Sequence, residues 1–134
     1  MSRGLRNCNP GNIRQSKVRY RGEVRPSRDA AFKQFASLAW GYRAIFVLLH
    51  TYRVRYGLDT VAGMIARWAP PSENDTGAYV RAVARAVGTA PDAPIDTRDA
   101  ATMIPFAAAV SRVENGREAD LDEVRAGWRL FTEG

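Results

Sequence analysis

Asp99-Ala-Ala-Thr-Met-Ile-Pro-Phe-Ala-Ala-Ala-Val-Ser-Arg-Val-Glu-Asn-Gly116 is the stretch on which the reading of the whole chain turns. Its spacing predicts one helix. Asp99 stands where an N-cap belongs, small and apolar residues fill the middle, and Asn115-Gly116 are the residue types that best tolerate a left-handed end. At about 100° per residue, Met103, Ala107, Val110 and Glu114 share one narrow stripe, with Pro105 on the far side and expected to bend the helix. A carboxylate thus sits on the apolar face in the last turn. Burial and the negative end of the helix dipole both disfavour its ionised form, and a carboxylic acid held protonated near neutral pH is what a general acid requires. A Glu near a helix end is otherwise solvated or bonded to a nearby cation such as Arg112 or Arg117. Position alone leaves both readings open.

Working outward, 134 residues with 46% hydrophobic and 25% charged composition describe one folded domain, residues 1–134, large enough for a single core. No apolar run approaches a membrane span, and the N-terminus lacks the apolar segment of a signal peptide. Cys8 is alone, which excludes an internal disulfide, and no Cys/His set suggests zinc, so neither metal nor cofactor is expected. His50 is the one histidine, and its apolar helical setting argues for a structural role. The net charge is +6, carried almost wholly by arginine, and Arg3, Arg6, Arg14, Lys17, Arg19, Arg21, Arg25 and Arg28 face only Glu23 in the first segment. An anionic partner follows: nucleic acid, a membrane surface or an acidic wall polymer.

In chain order, Arg3 to Arg14 is rich in turn formers and reads as an ordered loop. Lys17 to Arg25 alternates, Pro26-Ser-Arg-Asp29 is a turn, and Ala31 to Phe35 is a weaker strand, together a small exposed β-hairpin. Ser37 caps a long helix ending at Gly57, with Leu38, Tyr42, Ile45, Leu49, Tyr52 and Tyr56 on one stripe and apolar surface round much of it, so it belongs in the middle of a bundle. Asp59 or Thr60 starts a short helix burying Val61, Met64, Ile65 and Trp68, stopped by Pro70-Pro71. Asn74 or Asp75 caps the next, which carries Tyr79, Val80, Val83 and Val87. Asp120-Leu-Asp-Glu123 resembles a capping box for a last helix burying Leu121, Val124, Trp128 and Phe131. The sum is α+β and predominantly helical, about five helices and a hairpin.

Asn9-Pro-Gly-Asn-Ile-Arg14, Gly41-Tyr-Arg-Ala44, Tyr52 to Gly57, Trp68-Ala-Pro-Pro-Ser-Glu-Asn-Asp-Thr76 and Tyr79-Val80 resemble a family of small phage and prophage proteins, often described as virion or structural proteins. The resemblance covers most of the chain. More distantly, Val113-Glu-Asn-Gly116 is similar to the Glu-Ser-Gly helix end of lysozyme-superfamily lytic transglycosylases and glucosaminidases. Asn12-Ile-Arg14 with its hairpin resembles the segment that follows that Glu in those enzymes, and Asp75 to Val83 resembles their Tyr-bearing helix. Here the Glu helix comes last, so the resemblance implies a circularly permuted lysozyme-like domain.

On that resemblance, Glu114 protonates the glycosidic oxygen between N-acetylmuramic acid and N-acetylglucosamine in peptidoglycan. Attack by the sugar's own 6-hydroxyl then needs no second carboxylate, whereas hydrolysis wants one about 5 to 10 Å away. Glu23, Glu73 and Asp75 are the choices, against readings of Glu23 as a strand charge facing Arg21 or Arg25 and Asp75 as a helix cap. Tyr79 and Trp68 are candidates to stack on sugars or to sit in the core. Asn9, Asn12 and Arg14 are candidates for acetamido and carboxylate groups, or for loop self-bonding. Synthesis in a host cytoplasm and action at the cell wall, in the periplasm or in a virion is the expected location. Two other classes stay open. One is a non-catalytic virion protein that grips peptidoglycan; the other is nucleic-acid binding, against which no helix carries a concentrated basic face with a reading motif.

Overall fold

A computed structural model describes all 134 residues. The elements run α1 (Arg3–Arg6), β1 (Glu23–Val24), β2 (Gln34–Phe35), α2 (Leu38–Tyr56), α3 (Val61–Trp68), α4 (Thr76–Val87), α5 (Ala100–Asn115) and α6 (Leu121–Glu133). The architecture is α+β and predominantly helical, with one small antiparallel sheet pairing Glu23 with Phe35 and Val24 with Gln34. No helix is long and apolar enough to cross a membrane.

The long second helix has the central place its all-round apolarity demands. Ser37 caps it through the Trp40 N–H, and Tyr42, Ala44, Ile45, Phe46 and Leu49 are fully buried against α5, α6 and β2. Each large side chain so buried contributes about 1.5–3 kcal/mol from area removed from water. The last helix lies close on α2 because Gly127 has no side chain: a Cβ there would stand 2.6–2.9 Å from Tyr42 Cβ, Ala39 O and Arg43 N. Trp128 meets Phe46 edge to face at 4.9 Å. His50 is structural in its contacts, with Nδ1 2.7 Å from Thr97 Oγ1 and its ring edge on Phe131.

Several expectations need correction. The first segment is not all loop: Ser2 caps a one-turn helix, accepting from the Leu5 N–H. The hairpin is small, as expected, but its paired residues are not exposed. Lys17 to Tyr20 alternates like a strand, but the carbonyls of Ser16 and Val18 accept from Lys33 Nζ and Arg25 Nη2, so charged side chains take the bonds a ladder would have used. Glu23, Lys33 and Phe35 are buried. Asp99 precedes α5 but offers it no side-chain cap, because its carboxylate accepts from the Thr102 hydroxyl instead. Asp120 does cap α6, through the Asp122 N–H. Leu121 and Tyr56, expected inward, are 45% and 49% exposed.

A half-buried glutamate in a polar trough

Three segments converge on Glu114. The last turn of α5 carries it, with Met103, Ala107 and Val110 on the same stripe fully buried and Gly116 in the left-handed region at φ 70° closing the helix. The stripe therefore places a half-buried carboxylate at the rim of the core. Neither Arg112 nor Arg117 reaches it: Arg112 pairs with Glu118 at 3.0 Å. Both partners are neutral instead. Asn12 Nδ2 donates to Oε1 at 2.9 Å, and the Tyr79 hydroxyl donates to Oε2 at 2.9 Å.

The Asn-Pro-Gly-Asn-Ile stretch is built to present Asn12. Asn9 is fully buried and spends its amide inside the loop, donating to the carbonyls of Ile13 and Lys33 and accepting from the Ile13 N–H. Asn12 then sits at φ 49°, a left-handed conformation that asparagine tolerates better than most residues. Its Oδ1 is buried and has no hydrogen-bond partner. Gly4 makes the close approach possible, since a Cβ there would lie 2.6–2.8 Å from Asn115 Oδ1, Asn12 Oδ1 and Asn9 O. Asn115 fastens helix to loop: its amide donates to Pro10 O and Ser111 O at 2.9 Å, and its oxygen accepts from Ser2 Oγ at 2.7 Å. In the sequence Asn115 signals only a helix stop, and nothing local marks it as a clamp.

Tyr79 comes from the first turn of α4, a helix capped by Asp75 through the Ala78 N–H. It is 4% exposed. Burial first, then the nearby Glu114 charge and the hydrogen bond to it, push its phenol far above the usual tyrosine range. Tyr79 is therefore a neutral hydroxyl at any working pH, and its ring is not a free face for stacking. A hydroxyl donates or accepts, and an amide presents either end, so this pair of neighbours accommodates Glu114 in both protonation states.

Open space lies on both sides of the carboxylate. A cavity of about 350 Å³ is lined by Glu114, Tyr79, Asn74 and Asp75. A smaller one of about 110 Å³ lies among Glu114, Asn12, Arg14, Trp68 and Glu73. The last four of these also line a third cavity of about 420 Å³ that runs on to Tyr52 and Arg67. A trough thus passes Glu114 and continues beside Trp68. A larger apolar cavity of about 570 Å³ lies between α4, α5 and α6, and the acid on it, Glu118, is paired with Arg112.

Of the residues singled out from sequence, the trough brings together Glu114, Asn12, Arg14, Trp68, Glu73, Asp75 and Tyr79. Glu23 is not among them. Its carboxylate accepts from Arg25 Nε at 2.7 Å, from Lys33 Nζ at 3.1 Å and from the Tyr20 N–H at 3.1 Å. Burial would push this acid up, but those hydrogen bonds outweigh it and hold it below the usual carboxylate range. Glu23 is committed to a buried ion pair outside the trough, and no catalytic role is assigned to it. Asn9 likewise spends its amide on the loop, and no ligand contact is assigned to it. Nowhere do three or more His, Cys, Asp or Glu side chains converge as metal ligands would.

The fold and this trough define a mostly helical α+β protein with one carboxylate held by neutral donors beside open space. No family model matches the chain. It is similar to Protein P5 of Pseudoalteromonas phage PM2, 36% identical over 131 residues that cover 95% of this chain and 80% of that protein. The chain belongs to the family of that phage protein.

Proposed function

We propose that this is a phage-type protein that cleaves the glycan strand of peptidoglycan, with Glu114 as the general acid of a glycosidase or lytic transglycosylase. The observation that carries the reading is a glutamate at a helix end whose two oxygens meet only neutral donors and which has an open cavity on each side. In this reading residues 1–134 form one lysozyme-like domain with permuted element order. Glu114 gives its proton to the bridging oxygen as the C1–O bond breaks. The 6-hydroxyl of the same muramic acid then attacks C1 and returns its proton to Glu114, leaving an anhydro end. Asn12 and Tyr79 orient the carboxyl group through this cycle. For a hydrolytic outcome, Asp75 and Glu73 are the carboxylates that share a cavity with Glu114, and either would activate water. Trp68 offers the face along which a sugar would lie.

Occupation of both Glu114 oxygens equally favours a second reading, a virion protein that grips peptidoglycan without cutting it. One experiment separates them. Parent protein and Glu114→Gln are incubated with purified sacculi. Muropeptide release by the parent and loss of at least about a hundredfold in the variant supports catalysis. Sedimentation of both without release supports the binder, and release undiminished in the variant removes Glu114 from the mechanism.

A further inference from the structure

The third cavity, which continues the trough past Asn12, has a chemistry of its own. It adjoins the Glu114 cavity through Asn12, Arg14, Trp68 and Glu73, which line both. Its about 420 Å³ falls within the roughly 300–1,000 Å³ of small-ligand sites. Tyr20, Tyr52 and Trp68 give it aromatic walls, suited to the C–H faces of pyranose rings. Its charged groups are two arginines and one acid, Arg14, Arg67 and Glu73.

The arginines are held by aromatic rings rather than by carboxylates. The Arg67 guanidinium lies 3.8 Å from the Tyr56 ring centre and 5.4 Å from that of Tyr52, and it makes no ion pair. Arg14 lies 5.1 Å over Phe32 and has only a loose contact with Glu73, 3.8 Å between two side chains that are 64% and 60% exposed. Stacking fixes a guanidinium plane while leaving its N–H edge open, and that edge matches a carboxylate in two parallel hydrogen bonds. Arg3, by contrast, is closed off by Asp29 at 2.6 and 2.7 Å.

We propose that this end of the trough reads the charge of its saccharide: Arg67 and Arg14 bind carboxylates borne by an acidic glycan and so select it over a neutral one of the same backbone. The inference rests on the glycan reading above and adds the substrate's charge as the selected feature. Muramic lactyl groups freed of their stem peptides and uronic acids share this chemistry.

The test is calorimetric binding with the Glu114→Gln protein, so that cleavage does not consume the probe. Three probes are used: a GlcNAc-MurNAc tetrasaccharide, tetragalacturonate and neutral chitotetraose. The expected result is binding of the muramyl tetrasaccharide about tenfold or more tighter than chitotetraose, with the difference shrinking as salt rises. Arg67→Gln and Arg14→Gln each weaken muramyl tetrasaccharide binding more than chitotetraose binding and so reduce that preference, with melting curves confirming that both variants fold. Preferred binding of tetragalacturonate keeps the arginine inference and overturns muramic acid as the carboxylate source. Equal affinity for acidic and neutral sugars overturns the inference while sacculus cleavage by the parent still stands. Absent cleavage with the acidic preference intact overturns the catalytic reading alone.

Discussion

Replacing Glu23 by Gln leaves the Lys33 ammonium buried with no counter-ion. Lys33 and Glu23 both have fully buried side chains and lie 3.1 Å apart. Removing one partner of a buried pair costs about 3–5 kcal/mol, mainly because the survivor keeps its desolvation penalty. Two features place this case at the lower end. Lys33 Nζ retains the carbonyl of Val18 at 2.8 Å and that of Ser16 at 3.4 Å, and Arg25 is about a third exposed, so it can turn to water. A loss of about 3 kcal/mol follows. For a chain of this length the entropy of unfolding near the midpoint is roughly 0.28 kcal/mol/K, so the melting temperature should drop by about 10 °C.

The double variant Glu23→Gln with Lys33→Met removes both charges and should recover to within about 1–2 kcal/mol of the parent. Urea unfolding at pH 7, with equal slopes required for the comparison, measures both quantities. Acid adds an independent check. The folded-state pKa of Glu23 lies below its unfolded value, so its contribution is complete above the ordinary carboxylate range and is lost as pH falls through the depressed value. The gap between parent and Glu23→Gln should therefore narrow on acidification. A single variant within about 1 kcal/mol of the parent, or a double variant no better than the single, would refute the assignment of a desolvated, mutually dependent pair.

Two further outcomes bear on the site. Tyr79→Phe keeps the buried ring and removes the donor that stabilises the Glu114 carboxylate formed as the proton is given up; such a bond to a charged group is worth about 1.5–3 kcal/mol, so sacculus cleavage should fall about tenfold to a hundredfold with circular dichroism unchanged. Gly4→Ala pushes a methyl into Asn12 Oδ1 and Asn115 Oδ1, and should weaken both muropeptide release and folding stability by about 1–3 kcal/mol, read from turnover and urea midpoints.

The five longer helices of this fold were legible because each announces itself locally. Ser37, Thr60 and Asp75 cap where their side chains can reach a free N–H, and the α5 stripe follows from helical period alone. The first thirty-odd residues were not legible in the same way, because their structure is decided by long-range side-chain bonds. Lys33 takes carbonyls from Ser16 and Val18, Asp29 gathers Arg3, Asn7 and two backbone N–H groups, and none of these pairings leaves a periodic trace. Glu114 could be singled out by position, but its partners could not. Asn12 stands 102 residues away and Tyr79 35, so only the packed chain shows that the carboxylate meets an amide and a phenol rather than Arg112.

That division bears on what the buried pair is for. Glu23 and Lys33 hold Ser16 and Val18, which form a wall of the third cavity, and the Lys33 carbonyl accepts from Asn9, which shapes the turn that presents Asn12. An apolar pair would give comparable stability but would not hold those carbonyls in place. The double variant thus has a second consequence. It should fold about as well as the parent yet bind glycan less well at the arginine end, because the wall loses the Lys33 bonds and keeps only those from Arg25. Recovered stability together with unchanged affinity for the muramyl tetrasaccharide would show that the pair supports the core alone and has no part in shaping the trough.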